Sequence, residues 1–416
     1  MDLNSSDIVI SGSILMIVWG GALVFSMHAG FGFLEAGTVR GKNVSSALAK
    51  IGVNIAIAGL AYFLVGYLVS YGIWLPAYPA ASFGTDGSYQ WGHFFYLLTF
   101  AAAAGAIISG GVAERMRLKA FMIIIVIVHA LIYPAFESWT WGGGWLAQLG
   151  YHDYAGSGVV HGISGFLGLM AAIMLGPRLG LIKNGRIVPP PPGNVAYVAL
   201  GSWFLATGWF GFNVGSALTL PHIEGLVAAN TFVAIAAGGM VAGFLSKWDT
   251  PTLFNGFLVG AVAITGGSDV VHPLAAILIG GVGATIFVYG SRFACNHRID
   301  DPLGVWSMHG LGGVWGVFAA GIFGLRELGG LGGVNPLANI LGIGVIVAWT
   351  MTTMGAICLV LRRTGPFRAT AEEEEMGLDL AEHKLVAEPE FEPAVRQIVS
   401  KMVEERALDK PKSTER

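Results

Sequence analysis

Two histidines occur in the same eight-residue setting. His161-Gly162-Ile163-Ser164-Gly165-Phe166-Leu167-Gly168 and His309-Gly310-Leu311-Gly312-Gly313-Val314-Trp315-Gly316 both read His-Gly-x-(Ser/Gly)-Gly-x-x-Gly, inside long runs of Val, Leu, Ile and Ala. Imidazole is the side chain that gives up or accepts a proton near neutral pH. In hydrocarbon such a ring is costly, so an ionisable residue on an apolar helix marks a pathway and needs a partner. Each histidine is the expected partner of the other. The small residues three and four positions on strip bulk from one helix face and let a second backbone come close. A core histidine bonded to a carbonyl would account for one motif, but not for two in matching surroundings.

The elements that position these rings follow from composition. The 416 residues are 54% hydrophobic and 12% charged, with a mean hydropathy of +0.66, where a soluble domain carries about 25% charged residues. An all-α integral membrane protein is expected. Apolar runs long enough for roughly 30 Å of hydrocarbon fall at 9–36, 45–71, 92–112, 119–136, 157–176, 195–216, 225–246, 252–267, 273–291, 303–324 and 337–361, giving eleven helices. Thr250-Pro251, His272-Pro273, Asp301-Pro302 and Asn335-Pro336 place proline at a first helical position. Residues 1–365 form the membrane domain and 366–416 a short cytosolic tail.

Basic residues set the orientation, because Lys and Arg stay on the cytoplasmic side. Arg40, Lys42, Lys50, Arg115, Arg117, Lys119, Arg178, Lys183, Arg186, Lys247, Arg292, Arg298, Arg362, Arg363 and Arg368 fall on one side, against Arg326 on the other. An odd number of spans follows, with the N-terminus outside and the C-terminus inside. No secretory signal is expected, since Met1 to Asp7 is acidic and the apolar stretch after it is long. Cys295 and Cys358 lie near the reducing side without metal spacing and read as inert core residues. A net charge of −3 offers no basic patch for nucleic acid.

The polyproline stretch Pro189-Pro190-Pro191-Pro192 divides the chain into halves. Phe31-Gly32-Phe33 and Phe210-Gly211-Phe212 sit in the first and sixth helices, the His-Gly motifs in the fifth and tenth. Matches five helices apart imply two inverted five-helix repeats plus one extra helix, an architecture common among transporters. The repeat brings His161 and His309 together near the midplane, with ring nitrogens roughly 3 Å apart.

The sequence resembles the ammonium transporter family, which includes the Rhesus proteins, to about residue 385. The resemblance rests on Gly37-Thr38-Val39-Arg40-Gly41-Lys42-Asn43, Gly111-Val112-Ala113-Glu114-Arg115, Trp141-Gly142-Gly143-Gly144, Asp153-Tyr154-Ala155-Gly156-Ser157-Gly158-Val159-Val160-His161, Gly208-Trp209-Phe210-Gly211-Phe212-Asn213 with Gly215-Ser216, Asp300-Asp301-Pro302 and His309-Gly310. It implies a homotrimer in the plasma (inner) membrane, each protomer with its own hydrophobic pore for ammonium or ammonia. Trp141, Ser216 and Phe100 would form an outer recognition site, Phe100 and Phe212 an aromatic gate, and His161 with His309 the twin-histidine pore and proton relay. An indole face attracts a desolvated cation by up to about 2 kcal/mol, and a hydroxyl replaces part of its hydration shell. Asp153 lies at the mouth of the fifth helix, where a capping role is expected ahead of cation attraction. Glu114 and Asp301 read as capping or salt-bridging groups.

One stretch departs from the family pattern: Thr265-Gly266-Gly267-Ser268-Asp269 puts an acid where relatives are apolar, either to raise cation concentration at the vestibule or, the reading taken ahead of it, as a surface-loop residue, and Trp306 is bulkier than expected. In the tail, Glu372-Glu373-Glu374-Glu375 and Gly377-Leu378-Asp379-Leu380-Ala381-Glu382-His383 are similar to the segment that packs under the family's trimer and meets the PII signalling protein. Beyond it, Val395, Ile398, Val399, Met402 and Val403 recur at helical spacing, predicting an amphipathic helix over 393–408. Passive ammonium conduction for nitrogen uptake is the expected function. The alternative is an ammonium sensor that uses the same fold with little flux. No nucleophile–base pair, metal motif, cofactor or phosphate loop argues for an enzyme.

Overall fold

The computed structural model describes residues 5–78, 85–220, 223–365, 367–387 and Ser400. Every apolar stretch expected to span is helical in it. The segments are α1 (Ser5–Thr38), α2 (Gly41–Tyr71), α3 (Thr85–Val112), α4 (Leu118–Trp139), α5 (Ser157–Leu175), α6 (Val195–Gly215), α7 (Glu224–Leu245), α8 (Thr250–Thr265), α9 (Pro273–Asn296), α10 (Trp306–Leu311 continuing as Gly312–Phe323) and α11 (Pro336–Thr364). Among the described residues nine helices are long and apolar enough to cross a bilayer; α8, with sixteen residues, and α10 are not among them. The predicted amphipathic helix over 393–408 lies outside the described residues, Ser400 apart.

Helix starts follow the expected chemistry with one correction. Pro273 and Pro336 open α9 and α11, and the preceding His272 and Asn335 side chains accept from the first free backbone N–H groups. Asp249 caps α8, whose first residue is Thr250. Asp301-Pro302 does not open α10. Gly304 turns the chain at φ +68°, and the Asp301 carboxylate accepts from Val305 N at 2.9 Å and Trp306 N at 2.7 Å. Asp301 therefore caps the helix from beyond the turn. Lys50, counted above with the loop cations, sits inside α2, is buried, and bonds Ser46 Oγ at 3.0 Å.

Glycines set how close the helices come. α1 lies along α6: a Cβ on Gly201 would stand 2.4 Å from Leu34 N, and one on Gly211 2.6 Å from Gly20 O. The two His-Gly motifs interlock reciprocally. A Cβ on Gly165 would meet Gly310 N at 2.0 Å, and one on Gly313 would meet Gly162 N at 2.7 Å. Each motif's fifth residue thus presses on the other's second, as two copies related by a twofold axis must. Both motifs also begin on a π-helical stretch, Ser157–Gly162 and Trp306–Leu311, a widened turn that recurs at functional sites.

The end of the bundle holding the inter-helix loops is tied by buried ions. Arg178 bonds both oxygens of Asp300 at 2.8 and 2.9 Å and Glu114 at 2.7 Å. Burial alone would raise the Asp300 carboxyl; the Arg178 contacts outweigh it and hold the group below its ordinary value. Glu114 also receives Arg40 and Asn43, so its capping and salt-bridging role is as expected. The segment after α11 returns to this surface. Its short helix α12 (Ala371–Met376) starts on a Thr370–Glu373 capping box. Asp379 then accepts from Ser45 N at 3.0 Å and Ser46 N at 2.7 Å, Leu378 N donates to Asn43 Oδ1 at 2.9 Å, and Glu374 bonds Leu179 N and Arg368.

Candidate functional site

The residues singled out in sequence form one column. The Nδ1 atoms of His161 and His309 lie 3.3 Å apart, and the rings stand 5.2 Å centre to centre at 26°. Across the 3.3 Å between these nitrogens a single N–H on one ring donates to the lone pair of the other. His161 Nε2 is buried without a hydrogen-bond partner among the described residues. Phe212 stacks above His161 at 5.5 Å, and Phe100 stacks on Phe212 at 3.8 Å and 23°. Trp141 meets the edge of Phe100 at 6.0 Å. Phe100, Phe212, His161 and His309 are buried, whereas Trp141 and Ser216 are half-buried.

Trp141 and Ser216 line a cavity of about 240 Å³ together with Phe100, Tyr71, His93, Tyr96 and Tyr154. Each wall is held from behind. Trp141 Nε1 donates to Asp153 O at 2.8 Å, which fixes the indole plane. Ser216 Oγ donates to Phe212 O at 2.9 Å and lies 3.2 Å from Tyr96 Oη. Asp153 also bonds the start of the next helix. Its Oδ2 accepts from Gly158 N and Val159 N, both at 2.8 Å, at the start of the π-helical turn that carries His161.

Tyr96, Trp209 and Tyr71 were not singled out as site residues. Tyr96 reaches across to Phe212 O at 2.7 Å and Gly211 O at 3.0 Å, and so seats α3 on α6 beside the aromatic stack. Trp209 stacks on His161 at 5.3 Å, anchored by its Nε1 on Thr265 Oγ1 at 2.9 Å. It stood in a quoted motif, but a tryptophan one turn from a phenylalanine carries no signal of which faces a histidine.

A family profile described as Ammonium Transporter Family matches residues 15–388. The chain belongs to that family. The ammonium transporter Amt2 of Methanocaldococcus jannaschii is 40% identical over 93% of this chain and 92% of its own length. The Amt2 of Archaeoglobus fulgidus is 36% identical over 90% and 88%. Among solved structures, a chain named Sensor Amt Protein superposes with a TM-score of 0.85 at 32% identity, covering 91% of this chain and 99% of that one. Mep2 from Candida albicans gives 0.76 at 27% over 87% of both. This is a multi-pass membrane protein of a transport family and not an enzyme.

The stretch that departs from the family pattern is built into the site's frame. Ser157 Oγ accepts from Gly266 N at 2.7 Å, and Tyr154 N and Ala155 N donate to Gly266 O and Thr265 O. Asp269 is no loose loop residue. It pairs with His152 Nε2 at 3.1 Å. Burial lowers the His152 imidazole, but the hydrogen bond and charge of Asp269 win and leave it raised. A raised histidine contributes stability below its unfolded value near 6.5 that fades as pH climbs through the folded value. Asp269→Asn should therefore lower the detergent-solubilised Tm at pH 5.5 and change it little at pH 8.5, as differential scanning fluorimetry would read. Equal loss at both pH values would assign the pair no charge interaction.

Trp306 packs beside Phe293 at 6.1 Å, half-buried at the start of α10. Near it a second cavity of about 260 Å³ is lined by Leu34, Asp301, Ser307 and Pro189, so the polyproline stretch borders the end of the bundle nearest His309.

Proposed function

We propose that this chain conducts ammonium or ammonia passively through a pore in each protomer, along the Trp141, Phe100, Phe212, His161 and His309 column. The observation that carries the reading is the continuity of that column, from an aromatic-lined cavity that includes the Ser216 hydroxyl through a stacked aromatic pair to two paired imidazoles. An ammonium ion in the outer cavity exchanges water for the Trp141 face and the Ser216 oxygen. Phe100 and Phe212 exclude bulk water, and an ion stripped of water gives up its proton more readily than it enters an apolar passage charged. The paired imidazoles of His161 and His309 take up and relay that proton, a step closed to potassium, which has no proton to give.

The same reading places residues 1–365 in the plasma (inner) membrane as eleven spans of a homotrimer, N-terminus outside and the tail 366–416 in the cytosol. The asymmetry of Lys and Arg supports that orientation. The tail lies against Lys42, Ser45, Ser46 and Leu118, at the ends of α2 and α4. A PII signalling protein that lifts it would act on those helix ends directly. The likeness to Sensor Amt Protein keeps a sensor with little flux as the second reading.

Uptake into proteoliposomes separates the two. Wild-type protein should show saturable ammonium uptake, and Trp141→Ala should raise the half-saturating concentration about tenfold, within the range of a lost cation–π contact. Absence of uptake in protein that still binds ammonium would favour the sensor.

A further inference from the structure

Behind the outer cavity lies a buried carboxylate that none of these steps uses. Glu137 stands on the last turn of α4, one helical turn before Trp141, with no exposed surface. Three hydroxyls from the end of α2 close on it. Ser70 Oγ and Tyr62 Oη donate to Oε2 at 2.5 and 2.8 Å, and Tyr71 Oη donates to Oε1 at 3.1 Å. Among the described residues no Lys, Arg or His forms an ion pair with it. The carboxyl is met by three hydroxyl donors, and a buried carboxyl without a cation partner is retained at a cost.

Holding α2 to α4 does not require a carboxyl, since hydroxyl to carbonyl bonds would serve. Tyr71 supplies the other use. It is half-buried and lines the outer cavity with Trp141, Phe100 and Ser216. Its one hydroxyl proton is committed to Glu137, which leaves the phenol oxygen only acceptor capacity and enriches the ring in electrons. Both changes favour a cation beside it over a neutral molecule. We propose that Tyr71 is a further contact for ammonium in the outer cavity and that Glu137 is a positioning residue acting through it. The proposal rests on the reading of that cavity as the recognition site. It gives the cavity a second electron-rich wall and a preference for small hydrogen-bonding cations.

The experiment measures uptake of ammonium by full-length protein in liposomes for Tyr71→Phe, Glu137→Gln, their double variant, and Tyr62→Phe. Tyr62 bonds the same carboxylate but does not line the cavity. Tyr71→Phe and Glu137→Gln should each raise half-saturating ammonium about tenfold with maximal uptake within about twofold. The double variant should be no worse than either, because both act on one phenol. Tyr62→Phe should stay within about twofold throughout. Unchanged half-saturation in Tyr71→Phe, or an equal shift in Tyr62→Phe, overturns the proposal. Should Glu137→Gln fail to insert, the comparison of Tyr71→Phe with Tyr62→Phe decides alone. Trp141→Ala keeps the two failures apart: if it shifts half-saturation while Tyr71→Phe does not, only the pair falls, and if neither shifts, the reading of the cavity falls with it.

Discussion

With both His161 and His309 changed to alanine, the protein should lose its discrimination between ammonium and potassium. The histidine Nδ1 atoms lie 3.3 Å apart at the end of the column away from Trp141, and Phe212 stacks on His161. Removing both imidazoles deletes four ring nitrogens and opens a space that their side chains filled. Two outcomes follow from whether that space wets. If water enters, an intact cation crosses solvated, and potassium current relative to ammonium current should rise at least about tenfold. If it stays apolar and dry, both fluxes stop, because a bare charge in hydrocarbon is costlier than any contact left to receive it. Ammonium-driven and potassium-driven currents recorded in the same liposomes distinguish the two. Wild-type flux with wild-type selectivity would reduce the histidines to core residues.

The part of this site legible in sequence is the part that repeats. His161 and His309 announced themselves because the same spacing of small residues follows each, and the reciprocal contacts of Gly165 with Gly310 and Gly313 with Gly162 are what that spacing encodes. Trp141, Phe100 and Ser216 carried no such mark. Their placement came through resemblance, since an aromatic on an apolar helix looks the same whether it meets lipid, core or pore. Asp153 was legible as a cap because an acid just before a helix has few other uses. Glu137 and Tyr71 were not legible at all: they are sixty-six positions apart, and nothing local says that α2 ends where α4 ends. The π-helical turns were hidden for a related reason. They arise where tertiary contacts widen a helix, and the apolar pattern of Ser157–Gly162 is also that of an ordinary one. Asp269 was ambiguous until its partner, His152, was seen 117 positions away.

Gly165→Ala should disable transport even though it touches no proposed recognition residue. In an ordinary helix interior the change from glycine to alanine favours folding by about 1 kcal/mol. Here the added methyl would stand 2.0 Å from Gly310 N, 2.4 Å from Gly310 Cα and 2.7 Å from His309 C. All three are backbone atoms, so no rotamer change relieves the clash. Ordinary contact begins at 3.4 Å, and 3.4 − 2.0 leaves about 1.4 Å by which α5 and α10 must part. Overpacking of this kind costs about 1–3 kcal/mol, outweighing the helix preference. The displacement also falls on the residue next to His309, so a 3.3 Å ring contact would open beyond hydrogen-bond reach. Ammonium uptake should fall by at least about tenfold, and the detergent Tm should drop by several degrees. Gly52→Ala is the matched control, because a Cβ there meets nothing within 4 Å; it should leave uptake unchanged and Tm equal or slightly higher. Wild-type uptake in Gly165→Ala would mean that the two motifs do not need this close approach, and the pairing of the histidines would then rest on something other than the glycine seam.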